Sequence, residues 1–459
     1  MVFPVVGGDG KPTGYEIDNS LRFNDGDSPK LQITTGSNSA RDRFTFSAWV
    51  KKAQDTGDDQ TLFSANDGGH QPHIRFDNTS EQLNVRISNS ASYNVKTNRS
   101  FRDSSAWYHI VVAMNTQEST DSNRIKIYVN GVQETSLATA DYPTQNYNSA
   151  FNANTELTLG RDISNDDNPF DGYMAEVYYV DGIQYAASDF GEYNNNGVWV
   201  PKDAKDDINF GTHGFYFEFK QTGTGTNSSG MGADTSGNDN HYAVSNLAAT
   251  DVTTDTPTNN FCTLNPLDSG TVTFAEGNCE ITCANDQNDG ARGSIGVQNG
   301  KWYFEFKLVS HAGGNPPQAL GVAQANASVT TWVSPNNYVA YEIDSGKKRV
   351  DGSQTNYGAT ATDDDIIGVA LNMDDNEVTF YKNGSSQGTI TSATSSGEFY
   401  FPYIIDGSTV RGHTTQVNFG NPPFAISSGN ADGNGYGNFE YSVPSGYYSL
   451  CTKNLAEFG

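Results

Sequence analysis

Apolar and polar side chains alternate with a period of two through most of the chain, the pattern of strands with one buried face. Phe44-Thr45-Phe46-Ser47-Ala48-Trp49-Val50-Lys51 puts Phe44, Phe46 and Ala48 on one side. Residues 107–114 and 125–129 read as two more strands, and the second ends at Asn130-Gly131, a pair suited to a tight hairpin turn. Residues 156–160 and 175–180 follow, and 214–220 close a first unit. A Gly/Ser/Asn-rich stretch from Thr222 to Asn240 reads as a long loop, and 255–261 as a polar, Pro-bearing linker. In a second unit, beginning near Gly270, strands are expected at 301–307, 319–323, 338–343, 366–373, 377–382, 399–404 and 415–420. Helical periodicity is nearly absent; the best candidate is a turn or two around residues 186–190. The pattern predicts an all-β chain of two consecutive antiparallel sandwiches with very little helix. The expected division is an N-terminal arm or docking segment (1–20), a first sandwich (21–250), a linker (251–270), a second sandwich (271–440) and a C-terminal segment (441–459).

Length and composition agree with this division. The 459 residues suit two large β domains, and 47 Gly with 24 Tyr and 25 Phe are the material of short strands and tight turns. Lys and Arg number 27 against 54 Asp and Glu, a net charge of -27. Both halves share it: residues 1–250 hold 18 basic and 32 acidic side chains, and 251–459 hold 9 and 22. Neither half has the clustered cations that nucleic acid or an anionic membrane would need. No stretch approaches the ~20 apolar residues of a membrane span, and the start has no basic region of a signal peptide. The four cysteines are too few for a disulfide scaffold. Cys279 and Cys283 lack a neighbouring His for a zinc set and are expected as buried or edge thiols.

Several blocks carry a family resemblance. Phe-Thr-Phe-Ser-Ala-Trp-Val (44–50), Trp-Tyr-His-Ile-Val-Val (107–112), Ile-Tyr-Val-Asn-Gly (127–131), Leu-Gly-Arg (159–161) and Phe-Asp-Gly-Tyr-Met-Ala-Glu-Val (170–177) occur in the order of the laminin-G/concanavalin-like jelly roll, which the first unit resembles. Gly-Lys-Trp-Tyr-Phe-Glu-Phe (300–306), Ala-Leu-Gly-Val-Ala (319–323), Ile-Gly-Val-Ala-Leu-Asn-Met-Asp (367–374), Val-Thr-Phe-Tyr-Lys-Asn-Gly (378–384), Phe-Pro-Tyr-Ile (401–404) and Val-Asn-Phe-Gly (417–420) resemble a SPRY domain. Segments 17–24, 189–192 with 197–202, 255–267 and 444–455 are similar to parts of virion structural proteins of tailed bacteriophages. That resemblance implies a tail fibre, spike or capsid decoration protein, assembled in the host cytoplasm and acting outside the cell on the virion surface. It implies docking to other virion proteins through the N-terminal segment and a host-surface glycan or protein as receptor. It also implies a homo-oligomer, by analogy a trimer, in which multivalency strengthens a weak contact. A purely structural decoration role and a secreted bacterial lectin-like module are the alternatives.

The acids and aromatics supply the candidate chemistry. Jelly-roll glycosidases pair two carboxylates through Glu-x-Asp and a further Glu, and neither Glu16-Ile17-Asp18 nor Glu342-Ile343-Asp344 has that third acid. No Gly-x-Ser-x-Gly elbow and no P-loop ending is present, so a non-enzymatic protein is expected. His109, inside a strand, is expected to be packed or hydrogen-bonded in the core. Asp67, Asp162, Asp166 and Asp167 are loop oxygens of the kind that take Ca²⁺, and the laminin-G resemblance implies a calcium site at such a rim. Trp332, Tyr338 and Tyr357 stand in or beside less regular segments of the second unit, where their rings are the candidates for stacking on a sugar.

Overall fold

The computed structural model describes residues 14–54, 56–66, 72–88, 93–163, 167–283, 288–311, 318–332, 337–407 and 412–459. They form two compact β units, one spanning residues 13–258 and the other built on 259–459.

Among the described residues the first unit has two eight-stranded antiparallel sheets. One runs in the order Val132–Gln133, Ile125–Val129, Tyr108–Asn115, Arg43–Lys52, Gly172–Asp181, Ser20–Phe23 and Val252–Thr253, with Phe215–Phe217 also on Gly172–Asp181. The other runs Leu137–Asp141, Asn94–Ser100, Gln82–Arg86, His73–Phe76, Gln60–Ala65, Glu156–Leu159, Lys30–Thr34 and Ala243–Ser245. Alternation fixes which side chains meet between them. Phe44, Phe46, Val50 and Ile110 of the first sheet pack with Phe63, Ile74, Val85 and Leu157 of the second. The Phe46 and Phe63 rings stack 5.4 Å apart.

Gly172–Asp181 is buried along its whole length because its other face is covered too. Tyr178 and Val180 join Ala187, Phe190, Phe210 and Tyr216 in a second cluster, and Ala175 joins Ile17 and Trp49 in a third. Strict alternation after Met174 would send Glu176 into the core. A bulge between Ala175 and Tyr178 prevents this: Glu176 takes φ +50°, and Val177 and Tyr179 enter the core instead. The ends of the expected arm and linker take part in this unit. Ser20–Phe23 lies between Gly172–Asp181 and Val252–Thr253. Residues 1–13 lie outside the described set.

The second unit pairs a seven-stranded sheet, Leu264–Ser269 to Ser353–Asn356, with an eight-stranded one that includes Lys301–His311, Ile366–Asn372, Glu377–Lys382 and His413–Asn418. Trp302, Phe304, Phe306, Leu320, Val369, Ile404 and Val417 fill its core. The C-terminal segment is part of this unit. Tyr448–Ser449 pairs in parallel with Lys301–His311, and Leu455 of the helix Thr452–Phe458 joins the core. Glu305, the polar member of the Phe-Glu-Phe block, accepts the backbone N–H groups of Glu440 and Tyr441 at 3.0 and 2.9 Å and holds that segment in place. The turn expected at 186–190 is a single 3₁₀ turn, Ala187–Asp189.

Candidate functional site

Asn130 (φ +48°) and Gly131 (φ +80°) turn the chain between Ile125–Val129 and Val132–Gln133. Asn130 Oδ1 accepts the His109 backbone N–H at 2.8 Å and ties the turn to the sheet. Against the turn lies Trp199, carried on the short ladder of Trp199–Pro201 with Gly191–Tyr193. The indole needs glycine on two sides: a Cβ on Gly131 would sit 2.3 Å, and one on Gly191 2.6 Å, from its ring atoms.

Trp199 Nε1 donates to His109 Nδ1 at 3.0 Å. Because an indole N–H only donates, Nδ1 is the acceptor, and Nε2 therefore carries the proton and donates to Ser47 Oγ at 2.9 Å. Burial pushes His109 down to about 3, so the ring is neutral across the physiological range. It stacks with Trp49 and with Trp199 at centroid distances of 4.9 and 5.9 Å. Ser47 is fully buried. This Ser–His pair orients an indole and offers no proton acceptor to a substrate.

The pillar of rings opens into a cleft of about 380 Å³ lined by Tyr128, Gly131, Ser188, Tyr193, Trp199 and Lys202, with Glu192 beside them. Tyr193 meets Trp199 edge-on at 5.0 Å. Tyr193, Val198 and Val132 are 54%, 56% and 54% exposed, three of the large apolar side chains that the described residues leave in solvent. An aromatic wall with a hydroxyl, a carboxylate and an ammonium at its edges suits the apolar face and the hydroxyls of a saccharide, or an aliphatic side chain of a protein. The sequence signal for it was the apolar run Val198-Trp199-Val200 straight after Asn194-Asn195-Asn196-Gly197.

The residues singled out in the sequence fall elsewhere. Tyr338 is buried, packed on Tyr403 at 5.7 Å, and Trp332 joins its cluster, with the Arg349 guanidinium 5.5 Å over the indole. Tyr357 lies on the opposite face of that sheet, edge-on to Tyr341 at 5.5 Å, with its hydroxyl bonded to Gly388 O. Tyr338 and Tyr341 are three residues apart on one strand and so point to opposite sides. Asp162 and Asp167 face each other in an isolated bridge, and the Asp162 carboxylate lies 3.9 Å from Arg75. Asp167 accepts the Asn168 N–H at 2.8 Å. Asp67 and Asp166 lie outside the described residues, among which no cluster of three His, Cys, Asp or Glu is placed to hold a metal.

Residues 25–187 match the laminin-G-type model of the concanavalin A-like lectin/glucanases superfamily, and residues 301–422 match the SPRY domain. The chain carries a laminin-G/concanavalin-like domain followed by a SPRY domain. Among solved structures, the SPRY domain of human HERC1 is 20% identical, covering 34% of this chain and 96% of its own, at a TM-score of 0.31. A human SPRY domain is 18% identical (35% and 99%, TM-score 0.27) and the TRIM65 PSpry domain 13% (34% and 91%, TM-score 0.28). No curated protein matches the chain. The domain pair suggests a binding module, and the Trp199 cleft lies largely on the loops that follow the strand Gly172–Asp181 of the laminin-G-like unit.

Replacing Gly131 by Ala is expected to push the Trp199 ring out of its slot and to destabilise this unit by about 1–3 kcal/mol, through overpacking and the positive φ. Thermal unfolding and the tryptophan emission maximum check it: the midpoint falls and the emission shifts red.

Proposed function

We propose that this protein is a non-enzymatic binding protein of a tailed-phage virion, a tail fibre or spike component that contacts the host cell surface during adsorption. The observation that carries the binding part is the open aromatic cleft at Trp199, with Tyr193, Val198 and Val132 exposed around it. Apolar surface of this kind is costly to leave in water and marks a contact site. The virion part rests on the likeness of segments 17–24, 189–192 with 197–202, 255–267 and 444–455 to phage structural proteins, and 189–192 with 197–202 supply Glu192, Trp199 and Lys202 to the cleft. A net charge of -27 repels an anionic bacterial envelope, so ring stacking and hydrogen bonding at the cleft must supply the attraction. In this reading the N-terminal segment docks to other virion proteins, and oligomerisation, as a trimer by analogy, multiplies a weak single contact.

Labelled full-length protein is expected to bind host bacterial cells saturably, and Tyr193→Ala to weaken binding by roughly tenfold with unchanged thermal unfolding. Antibody labelling of intact particles is expected to place the protein on the tail. Capsid labelling without cell binding would support the decoration role instead.

A further inference from the structure

The segment ahead of Ser20–Phe23 lies across the outer face of the sheet that bears His109. Ile17 is 5% exposed and packs with Trp49 and Ala175, and Tyr15, Trp107 and Trp199 lie against the same cluster. Before Ser20 the segment belongs to no strand. It is tied by side chains instead. Ile17 N donates to Thr258 Oγ1 at 3.0 Å, that hydroxyl donates to Ile17 O at 3.1 Å, and Asn19 Nδ2 donates to Thr253 O at 3.5 Å. Tyr15 is a further tie: its Oη donates to Glu176 Oε1 at 3.2 Å and lies 3.2 Å from Tyr216 Oη.

Glu176 is buried and held by hydroxyls alone, with no ion pair among the described residues. The charges around it are engaged elsewhere or are negative. Lys220 pairs with Glu218 at 3.0 Å and Asp18 at 3.8 Å, and Lys205 sits 5.8 Å over the Tyr216 ring. Glu218 and Asp203 add negative charge around Glu176 and Tyr15. On the neighbouring strands Lys51 is paired with Asp255, and His109 is neutral. A carboxyl so placed is cheap to keep neutral and costly to charge. Tyr178 and Tyr216 stack at 4.2 Å on two paired strands. Of the three hydroxyls, only that of the half-buried Tyr15 can therefore move aside without opening a sheet.

We propose that residues 14–19 form a strap latched by protonated Glu176, closed in acid and lifting toward neutral pH to uncover Trp49 and Ala175 beside Trp199. Lifting Tyr15 lets water reach the carboxylate and returns it toward its ordinary range. With the strap closed, burial holds Glu176 up at about 7 against 4.5, so proton loss favours the open strap between those values and adds nothing above them. The uncovered face is continuous with the cluster that holds Trp199, so acidity sets how much apolar surface the first unit offers a partner. The strap stands whether or not the cleft binds a cell surface.

Amide hydrogen exchange of the full chain across this range, corrected for the intrinsic pH dependence of exchange, tests it. In wild type the protection of the Ile17 amide is expected to fall about tenfold or more between about pH 5 and about pH 7.5, then to level off. It stays below the protection of the Arg43–Lys52 amides throughout, as a local opening requires. Acrylamide quenching of tryptophan emission rises over the same range. Glu176→Gln, which cannot ionise, is expected to keep one level of protection at every pH. Tyr15→Phe keeps the ring without the bond and is expected to lower protection at about pH 5 by about three- to tenfold. The proposal is overturned if wild-type protection at Ile17 is independent of pH, or if folded Glu176→Gln shows the same fall. It is equally overturned if Tyr15→Phe protects Ile17 as wild type does, or if Ile17 exchanges only together with the strand amides.

Discussion

Replacing Asp255 by Ala is expected to destabilise the laminin-G-like unit by about 3–5 kcal/mol, more than any other single change considered for this chain. Lys51 Nζ lies 2.8 Å from Asp255 Oδ2, and both side chains are fully buried. Strand alternation puts Phe44, Phe46, Ala48 and Val50 in the core, so Lys51 points to the other face, where its ammonium sits 5.5 Å over the Tyr173 ring. Asp255 Oδ1 also accepts the Trp107 indole N–H at 3.1 Å, and its backbone O accepts Ser20 Oγ at 2.6 Å. One carboxylate thus fastens the segment after Val252–Thr253 to two strands. Without it a buried ammonium loses its counter-charge and an indole N–H its acceptor. For a unit of this size the unfolding midpoint should fall by roughly 6–20 °C. The double variant Lys51→Met with Asp255→Leu removes both charges and is expected to recover much of the loss. A single Asp255→Ala variant as stable as wild type would refute this account.

The second large effect is pH-linked and centres on Glu176. Its carboxyl is buried and accepts Tyr216 Oη at 2.6 Å, Tyr15 Oη at 3.2 Å and Tyr178 Oη at 3.0 Å. Burial is the main cause that raises it to about 7 from 4.5, against the lowering effect of the three hydroxyls. Below the ordinary value the group is protonated in both folded and unfolded chains and affects neither. Between about 4.5 and 7 the unfolded chain ionises while the folded one keeps its proton, so stability falls as pH rises. Above that window the full penalty, about 3 kcal/mol, is present. Glu176→Gln removes the charge and leaves a group that still bonds the tyrosines. It is expected to match wild type near pH 4.5 and to exceed it by up to about 3 kcal/mol at pH 8, which unfolding midpoints at the two pH values will show. A constant difference across the range would disprove the linkage.

Neighbouring residues made the strands legible in the sequence. Phe44, Phe46 and Ala48 were assigned to one face and occupy the core, and Asn130-Gly131 makes the expected turn. The bulge at Glu176 was not legible, because its one extra residue carries no Gly or Asn signal and the block 175–180 still looks like a plain strand. Nor were the site and the anchors, which join distant positions: Trp199 to His109 across 90 residues and Lys51 to Asp255 across 204. Irregular flanking sequence drew attention to Tyr338, yet the structure buries it on Tyr403, because a Tyr on a two-sided strand packs as readily as it binds.

The proposed function stands on recognition of a cell surface through the Trp199 cleft. Binding of the full-length protein to an array of bacterial surface saccharides and to whole host cells tests it most directly, with Tyr193→Ala and Trp199→Ala beside wild type and unfolding midpoints recorded for each. Saturable binding by wild type is expected, falling about tenfold or more in folded Tyr193→Ala. Absence of binding to every saccharide and cell, or equal binding by wild type and both variants, would contradict it.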